Sequence, residues 1–506
     1  MSEPATPPEP NGRNVAVIGA GLGGLSAAIS LAQEGYAVTV FEKNAHAGGK
    51  LNVLETRGFA FDLGPSILTL PHIFKRLFHR SKRRMKDYVT LCPVRPHWRN
   101  FFEDGTRIDL VPEPDRMTEE LDKLGESPKN FQNFLDYSGR LYDLVDKGYF
   151  EEGLDDLRDF KRYYGLANFM KFDLLRTMHG GVAHYIRHPH LRDVMDFFIK
   201  YVGSSAYDAP AFMNCLPTIQ FRHDLWYVEG GMIRLAQALR TLAEELGIAL
   251  RFEHEVAHIR HEGRTATGVE LKDGAFHPAD YVVSNMEVVP ACERLLNKPP
   301  RFMRPLRRRL EPACSGLVLD LGLDIQYPEL AHHNFFFSGN QKEHFRTVFR
   351  KREIPRDPTL YVVAAARSNP AVAPPGCDNL KILPHIPCLD EKHPVPHEAY
   401  QALRDRVLDK LERMGLTDLR RHIVVEHMWT PRDIQAQYYS NRGAIYGVVA
   451  DRWRNFGFKA SKQSKAYDNL FFVGGSVNPG GGMPMVVLCG QNVCKKIVAQ
   501  DRNRPS

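Results

Sequence analysis

The chain has 506 residues, 43% of them hydrophobic and 25% charged, with a formal net charge of +7. That length exceeds what one hydrophobic core usually supports, so interleaved domains are expected from a composition typical of globular proteins. The basic residues cluster in short runs such as Lys82-Arg83-Arg84 and Arg307-Arg308-Arg309, and no zinc finger, basic zipper or RNA-stacking motif accompanies them. Nucleic acid is therefore not an expected partner.

Eight cysteines lie at 92, 215, 292, 314, 377, 388, 489 and 494 with no Cys-x-x-Cys pair. Neither a disulfide framework nor a zinc site is suggested, and a reducing, cytoplasmic compartment fits. Residues 1–13 read as a polar, Pro-rich flexible tail and not as a signal peptide. No apolar run is long enough for a membrane-spanning helix.

Residues 14–18 form a β-branched run that feeds into Gly19-Ala20-Gly21-Leu22-Gly23-Gly24, a G-x-G-x-x-G. An apolar helix over 25–34 follows, Gly35 stops it, and a second strand at 38–41 ends in Glu42, with Lys43 beside it. The motif glycines divide the work between them. Gly19 makes the tight turn, Gly21 lets backbone approach a pyrophosphate, and Gly24 lets helix pack on strand. Glu42 is placed to accept hydrogen bonds from an adenosine ribose, and an acid there disfavours a 2′-phosphate. The motif alone does not choose between FAD and NAD. Gly48-Gly49-Lys50, followed by Asp62-Leu63-Gly64-Pro65-Ser66, brings further backbone close to the nucleotide and favours FAD.

From 111 to 221 the pattern is mainly helical and rich in aromatics, including Phe131, Phe134, Tyr137, Tyr142, Phe197, Phe198, Tyr201 and Tyr207. Singly these read as core, and together they are able to line an apolar tunnel. Gly230-Gly231 opens a helix over 232–246, and strands follow to 285. Residues 314–440 supply a second set of strands. His332-His333 reads as surface or substrate-domain polarity without metal-ligand spacing, since adjacent strand residues point apart. No metal site, nucleophile elbow or paired-carboxylate motif is expected, and no catalytic residue is assigned. The basic run at 301–310 fits a solvated face, or one lying on anionic headgroups.

At the other end, residues 469–473 form a buried-strand pattern that runs into Gly474-Gly475-Ser476. A Gly/Pro loop through Met483-Pro484 and a helix over 486–498 complete a second anion-binding helix start.

These segments, with Tyr227-Val228-Glu229-Gly230-Gly231-Met232 between them, resemble the bacterial-type phytoene desaturase family of carotenoid desaturases and oxidases, in order over nearly the whole chain. The resemblance implies an α/β fold: a Rossmann-like FAD-binding domain of the glutathione-reductase/amine-oxidase type, interleaved with a mixed-sheet substrate domain and a helical subdomain. The FAD-binding parts are expected at 14–110, 221–313 and 441–506, the helical subdomain, facing substrate and membrane, at 111–220, and the substrate domain at 314–440. Flavin contacts implied are Gly19, Gly21, Gly24, Glu42, Lys43, Gly49, Lys50, Gly64, Pro65, Ser66, Val256, Gly475, Ser476 and Met483. Lys50 replaces a commoner Arg, keeping charge and losing the bidentate fork, and Asn478 stands where many members have His. The implied activity is FAD-dependent desaturation of a long apolar polyprenoid such as phytoene or diapophytoene. Alternatives are terminal-methyl oxidation of a carotenoid, desaturation of a squalene-type C30 precursor, or, in another class, a non-catalytic polyisoprenoid carrier. Oxygen or a quinone would reoxidise the flavin, and a membrane surface would supply the substrate to a peripherally attached protein.

Overall fold

The computed structural model describes residues 11–503, the side chains at 157, 166, 167, 169 and 170 excepted. Strand Asn14–Ile18 lies at the middle of a five-stranded parallel sheet, paired with Ala37–Phe41 on one side and Tyr281–Ser284 on the other. Ala249–Arg251 and Leu470–Phe472 form its edges. Val15, Val17, Val282 and Val283 are all buried, as a parallel sheet covered on both faces requires. Strands far apart in sequence thus build one nucleotide-binding unit. The three-stranded antiparallel sheet of Val256–Glu262, Thr265–Leu271 and Phe276–Pro278 accompanies it.

An eight-stranded mixed sheet forms the second unit, its main path running Ile423–Trp429, Val318–Leu323, Asp378–Ile386, Leu360–Ala364, His333–Phe336, Trp98–Phe101 and Arg107–Leu110. The last two strands lie within the 14–110 segment expected to bind flavin, yet Trp98–Phe101 pairs in parallel with His333–Phe336, with Asn334 opposite Arg99. Residues 98–110 therefore belong to the eight-stranded sheet. Their short alternating pattern names a strand but not its partner.

One face of this sheet is apolar. Leu319, Leu321, Leu360, Val362, Leu380 and Ile382 pack with Leu403, Val407, Leu408 and Leu411 of the helix His397–Arg413. Each fully buried Leu or Val there contributes about 1.5–3 kcal/mol. The other face meets the helical subdomain, which includes Pro128–Val145, Met178–Tyr185, Pro189–Phe197 and Cys215–His223. Aromatic rings make that junction: Trp98 stacks on Phe198 with centroids 4.1 Å apart, and Phe197 meets Phe335 edge-on at 5.6 Å. Among the described residues no helix is long and apolar enough to cross a membrane, and all eight cysteines are free.

Candidate functional site

The site begins where two helices start. Strand Asn14–Ile18 turns at Gly19, φ +94°, into the helix Leu22–Ala32, whose N-cap Gly21 supplies no side-chain cap. Helix Met483–Arg502 likewise starts after Gly482 without one. The two helices pack so tightly that a Cβ on Gly490 would sit 2.6 Å from the Ala27 nitrogen and 2.8 Å from the Gly23 oxygen. Gly23 in turn adjoins Gly474, where an added Cβ would come within 3.2 Å of the Gly474 nitrogen. Two uncapped helix starts near one another, each the positive end of a macrodipole, favour an anionic ligand between them.

The remaining glycines close the cradle. Gly21 and Gly48 form a parallel bridge, and a Cβ on Gly49, φ +58°, would come within 3.1 Å of the Gly21 Cα. A Cβ on Gly24 would collide with the Gly19 carbonyl. Glu42 is buried, its Oε2 accepting from the Ala20 backbone at 2.8 Å and its Oε1 from Asn44 at 2.9 Å, so the carboxylate sits on the glycine loop. The His254 backbone donates to the Glu42 carbonyl at 2.9 Å, which brings the segment leading to buried Val256 to the same end. Side chains excluded at Gly21, Gly24 and Gly49, with an acid at the loop, fit a dinucleotide such as FAD.

Several expected contacts are engaged by protein. Lys50 donates to the carbonyls of Ala444 at 3.3 Å and Ile445 at 3.2 Å and lies 3.7 Å from Glu287, so it ties down the segment 444–447. Lys43 lies over the Tyr439 ring at 4.3 Å, and burial lowers its pKa. Ser66 Oγ accepts from Lys381 at 2.9 Å, and Ser476 Oγ accepts from the Val288 backbone at 3.0 Å. Gly64 backs on the Lys50 carbonyl, Pro65 is exposed, Gly475 adjoins the Tyr446 carbonyl, and Met483 is buried as the first helical residue. Sequence reasoning missed Asn285, whose side chain adjoins Gly19, Gly21, Gly23 and Gly474 and so touches both motifs. Its place immediately after the parallel strand Tyr281–Ser284 was the available signal, since ligands bind at the carboxyl ends of such strands.

The face of the eight-stranded sheet opposite the apolar one also escaped the sequence. Asp320, Lys381, His385, His333 and Tyr361 occupy it, all buried. Lys381 bonds to the Gly64 carbonyl and to Ser66, joining this floor to the nucleotide-binding segment. Burial lowers its pKa and raises those of Asp320 and Asp62. His385 Nε2 lies 3.2 Å from the Tyr446 hydroxyl, and burial lowers the His385 pKa to about 3. The expectation of His332 and His333 as possible surface residues that point apart is corrected: both are buried and their rings meet at 4.3 Å, because His332 precedes the strand that His333 begins. In the run Asp378–Ile386, alternation puts Lys381 and His385 on the face opposite Leu380, Ile382 and Ile386, and two ionisable side chains in a fully buried strand are a legible hint of a functional face.

An apolar cleft lined by Val145, Tyr149, Phe160, Phe172, Phe212 and Phe458, among others, adjoins the carboxy-terminal motif, where the Tyr149 hydroxyl donates to Asn478 Oδ1 at 2.6 Å. Next to the lining residue Leu174, Leu175 is 83% exposed, and Trp453, four residues before lining Gly457, is 74% exposed. Arg452 donates to the Leu175 carbonyl at 2.9 Å, and Arg454 to the Arg308 carbonyl at 3.5 Å, so the basic run at 304–309 neighbours these tips. In the other basic run, Arg83 pairs with Glu245 and Arg84 with Asp87.

Comparison with known proteins gives consistent findings. The family model for flavin containing amine oxidoreductase matches residues 22–312. A 4,4'-diapolycopene oxygenase of a Methylomonas species is 56% identical over 96% of this chain and 98% of its own. A 4,4'-diaponeurosporene oxygenase of Staphylococcus aureus is 48% identical over 97% and 99%. Among solved structures, a putrescine oxidase variant superposes with TM-score 0.64 at 15% identity, covering 96% of this chain and 99% of that one. An oxidoreductase from Methanosarcina mazei gives 0.61 at 16% identity, covering 95% and 100%. At those identities the structures speak for the fold alone.

Proposed function

This chain belongs to the flavin containing amine oxidoreductase family and is an FAD-dependent oxidoreductase of carotenoid biosynthesis, and on that premise we propose that it oxidises the terminal methyl group of an acyclic diapocarotenoid-type polyene. The identity of 56% over nearly the full length to a 4,4'-diapolycopene oxygenase carries this reading. It favours oxygenation over the desaturation that the motif resemblance puts first.

With dioxygen as oxidant the net reaction balances as R–CH3 + O2 → R–CHO + H2O. FAD, when bound, would supply the redox chemistry that couples dioxygen to the substrate's activated C–H bond. The protein's own groups bind and orient. The glycine cradle and the two helix starts would hold the cofactor's phosphates, and Lys381 fixes the segment 64–66 against the sheet floor. The closely packed rings at Phe160, Phe172, Phe212 and Phe458 would part to admit an apolar chain along a dry route toward the Asn478 loop.

The polyene reaches the cleft from a lipid surface, on which Leu175 and Trp453 insert while Arg452 and the 304–309 run lie on anionic headgroups; Arg307 and Arg454 are held by Glu293 and Glu311, and each basic residue without such a partner adds about 1 kcal/mol. The test is expression in cells that make C30 polyenes under 18O2, with mass analysis of the pigments. Aldehyde carrying 18O is expected. Products that differ only in added double bonds would return the reading to desaturation. Flotation with liposomes containing anionic lipid should fall for Trp453→Ser with Leu175→Ser, and unchanged flotation would remove this face from the membrane.

A further inference from the structure

On the polar face of the eight-stranded sheet one cation has no counter-charge. Lys200, in the turn Phe198–Val202, is 4% exposed. Its Nζ lies 4.2 Å from the centre of the Tyr361 ring, 4.5 Å from Tyr201, 4.9 Å from Phe335 and 5.0 Å from Trp98. It has no carboxylate or hydrogen-bond acceptor among the described residues, and burial alone pushes its pKa well below the ordinary value. The side chains around it are short of partners in the same way. Gln220 Nε2 is buried and unpaired while its Oε1 accepts from the Tyr201 hydroxyl at 3.0 Å. Trp98 Nε1 has only the Tyr201 side chain beside it and no partner at full hydrogen-bond geometry, and His333 Nε2 is unpaired, while its Nδ1 sits 3.0 Å from the Tyr361 hydroxyl.

The indole and the free amide nitrogen can only donate, and the lysine amine donates in either protonation state, so the cluster is rich in donors. Ring faces attract a cation, but a buried charge without an anion is costly, and such groups cluster where a ligand completes them. The chamber also adjoins the nucleotide-binding motif. Phe197 contacts His385, His385 meets the Tyr446 hydroxyl, and the Tyr446 carbonyl lies against Gly475 and Gly481.

We propose that Lys200, with Gln220 and Trp98, forms a terminus site that binds the oxygen-bearing end of a partly oxidised polyene, an aldehyde or a carboxylate, through its oxygen. This rests on the terminal oxidation proposed above: a hydrocarbon end offers these donors nothing, whereas the first oxygen introduced supplies the missing acceptor. An end retained there stays beside the flavin-binding motif and is positioned for further oxidation.

The test uses the full chain loaded with FAD and three detergent-solubilised C30 polyenes ending in a hydrocarbon, an aldehyde or a carboxylate, with binding read from the polyene absorption band. The native protein is expected to prefer at least one oxygenated end over the hydrocarbon by about tenfold or more, the scale of a hydrogen bond to a charged group. Lys200→Met is expected to abolish that preference while its FAD content stays stoichiometric and its thermal midpoint stays level or rises, since a buried amine without a partner is removed. A preference for both oxygenated ends marks a site for either oxygen, and a preference for the carboxylate alone marks one for the fully oxidised end. No preference in the native protein, an equal preference in Lys200→Met, or a variant that loses FAD and melts earlier would overturn the proposal. The 18O2 experiment fails separately: native protein that discriminates the ends but forms no labelled aldehyde would sink the terminal oxidation and leave the oxygen-binding site standing.

Discussion

The two faces of the eight-stranded sheet are built from the same strands and differ in what they hold. Toward the helix His397–Arg413 the strands present Leu319, Leu321, Leu360, Val362, Leu380 and Ile382. Toward the helical subdomain the alternate positions carry Asp320, Lys381, His385, His333 and Tyr361 at equal depth. Burial therefore does not distinguish core from site in this molecule. The cost of burial does: the apolar face gains from exclusion of water, while the polar face bears desolvation that internal partners offset only in part.

Substitution should separate the faces most sharply through stability. Leu408→Ala, on the apolar face, is expected to lower unfolding free energy by about 2–5 kcal/mol by opening a cavity, with turnover per folded, FAD-loaded molecule retained. Denaturant melts alongside activity normalised to bound flavin test this, and a loss of specific activity in a stably folded protein would erase the distinction.

Acid should act on the polar face and leave the apolar one untouched. His332 and His385 have pKa values lowered to about 3 by burial, against about 6.5 in an unfolded chain. Between those values the unfolded state binds more protons than the folded one, so stability falls as pH drops from 6.5 toward 3, by up to about 1.4 kcal/mol per pH unit for each histidine. His385→Phe should flatten that slope by one histidine's share, whereas Leu408→Ala should shift the curve without changing its steepness. An unchanged slope in His385→Phe would mean that this imidazole is charged in the fold.

The smallest effect is expected at the contact between floor and cofactor segment. Tyr446→Phe removes a hydroxyl 3.2 Å from His385 and leaves the backbone carbonyl beside Gly475 and Gly481 in place. Stability should change by about 1 kcal/mol or less and FAD should remain stoichiometric, with the change appearing in the rate at which substrate bleaches the flavin anaerobically. Loss of FAD would show that the hydroxyl, and not the backbone, supports the cradle.

What was legible in the sequence follows from how local each constraint is. Gly19, Gly21 and Gly24 announce themselves because a turn and a close approach demand glycine within six residues, and Glu42 follows at a fixed offset. Asn285 and the segment 444–447 depend on which strands become neighbours, and no local pattern states that Tyr281–Ser284 pairs with Asn14–Ile18 or that Lys50 reaches Ala444. Residues 98–110 fall to the wrong sheet on sequence alone for the same reason. The polar floor lay within reach, since period-two reading of Asp378–Ile386 puts Lys381 and His385 on one side. Lys200 did not, because its surroundings come from five separate segments.

The packing of Gly490 against Gly23 and Ala27 has a consequence for synthesis. While the chain is being made, the first glycine motif emerges hundreds of residues before the helix Met483–Arg502 and the strand Leu470–Phe472 that complete its pocket. A nascent chain thus carries half a flavin site for most of its translation, and FAD loading waits until residues 470–502 have left the ribosome and docked. Ribosome-bound chains stalled before residue 470 should be colourless, and cofactor supply sets the yield of active protein only after that late event.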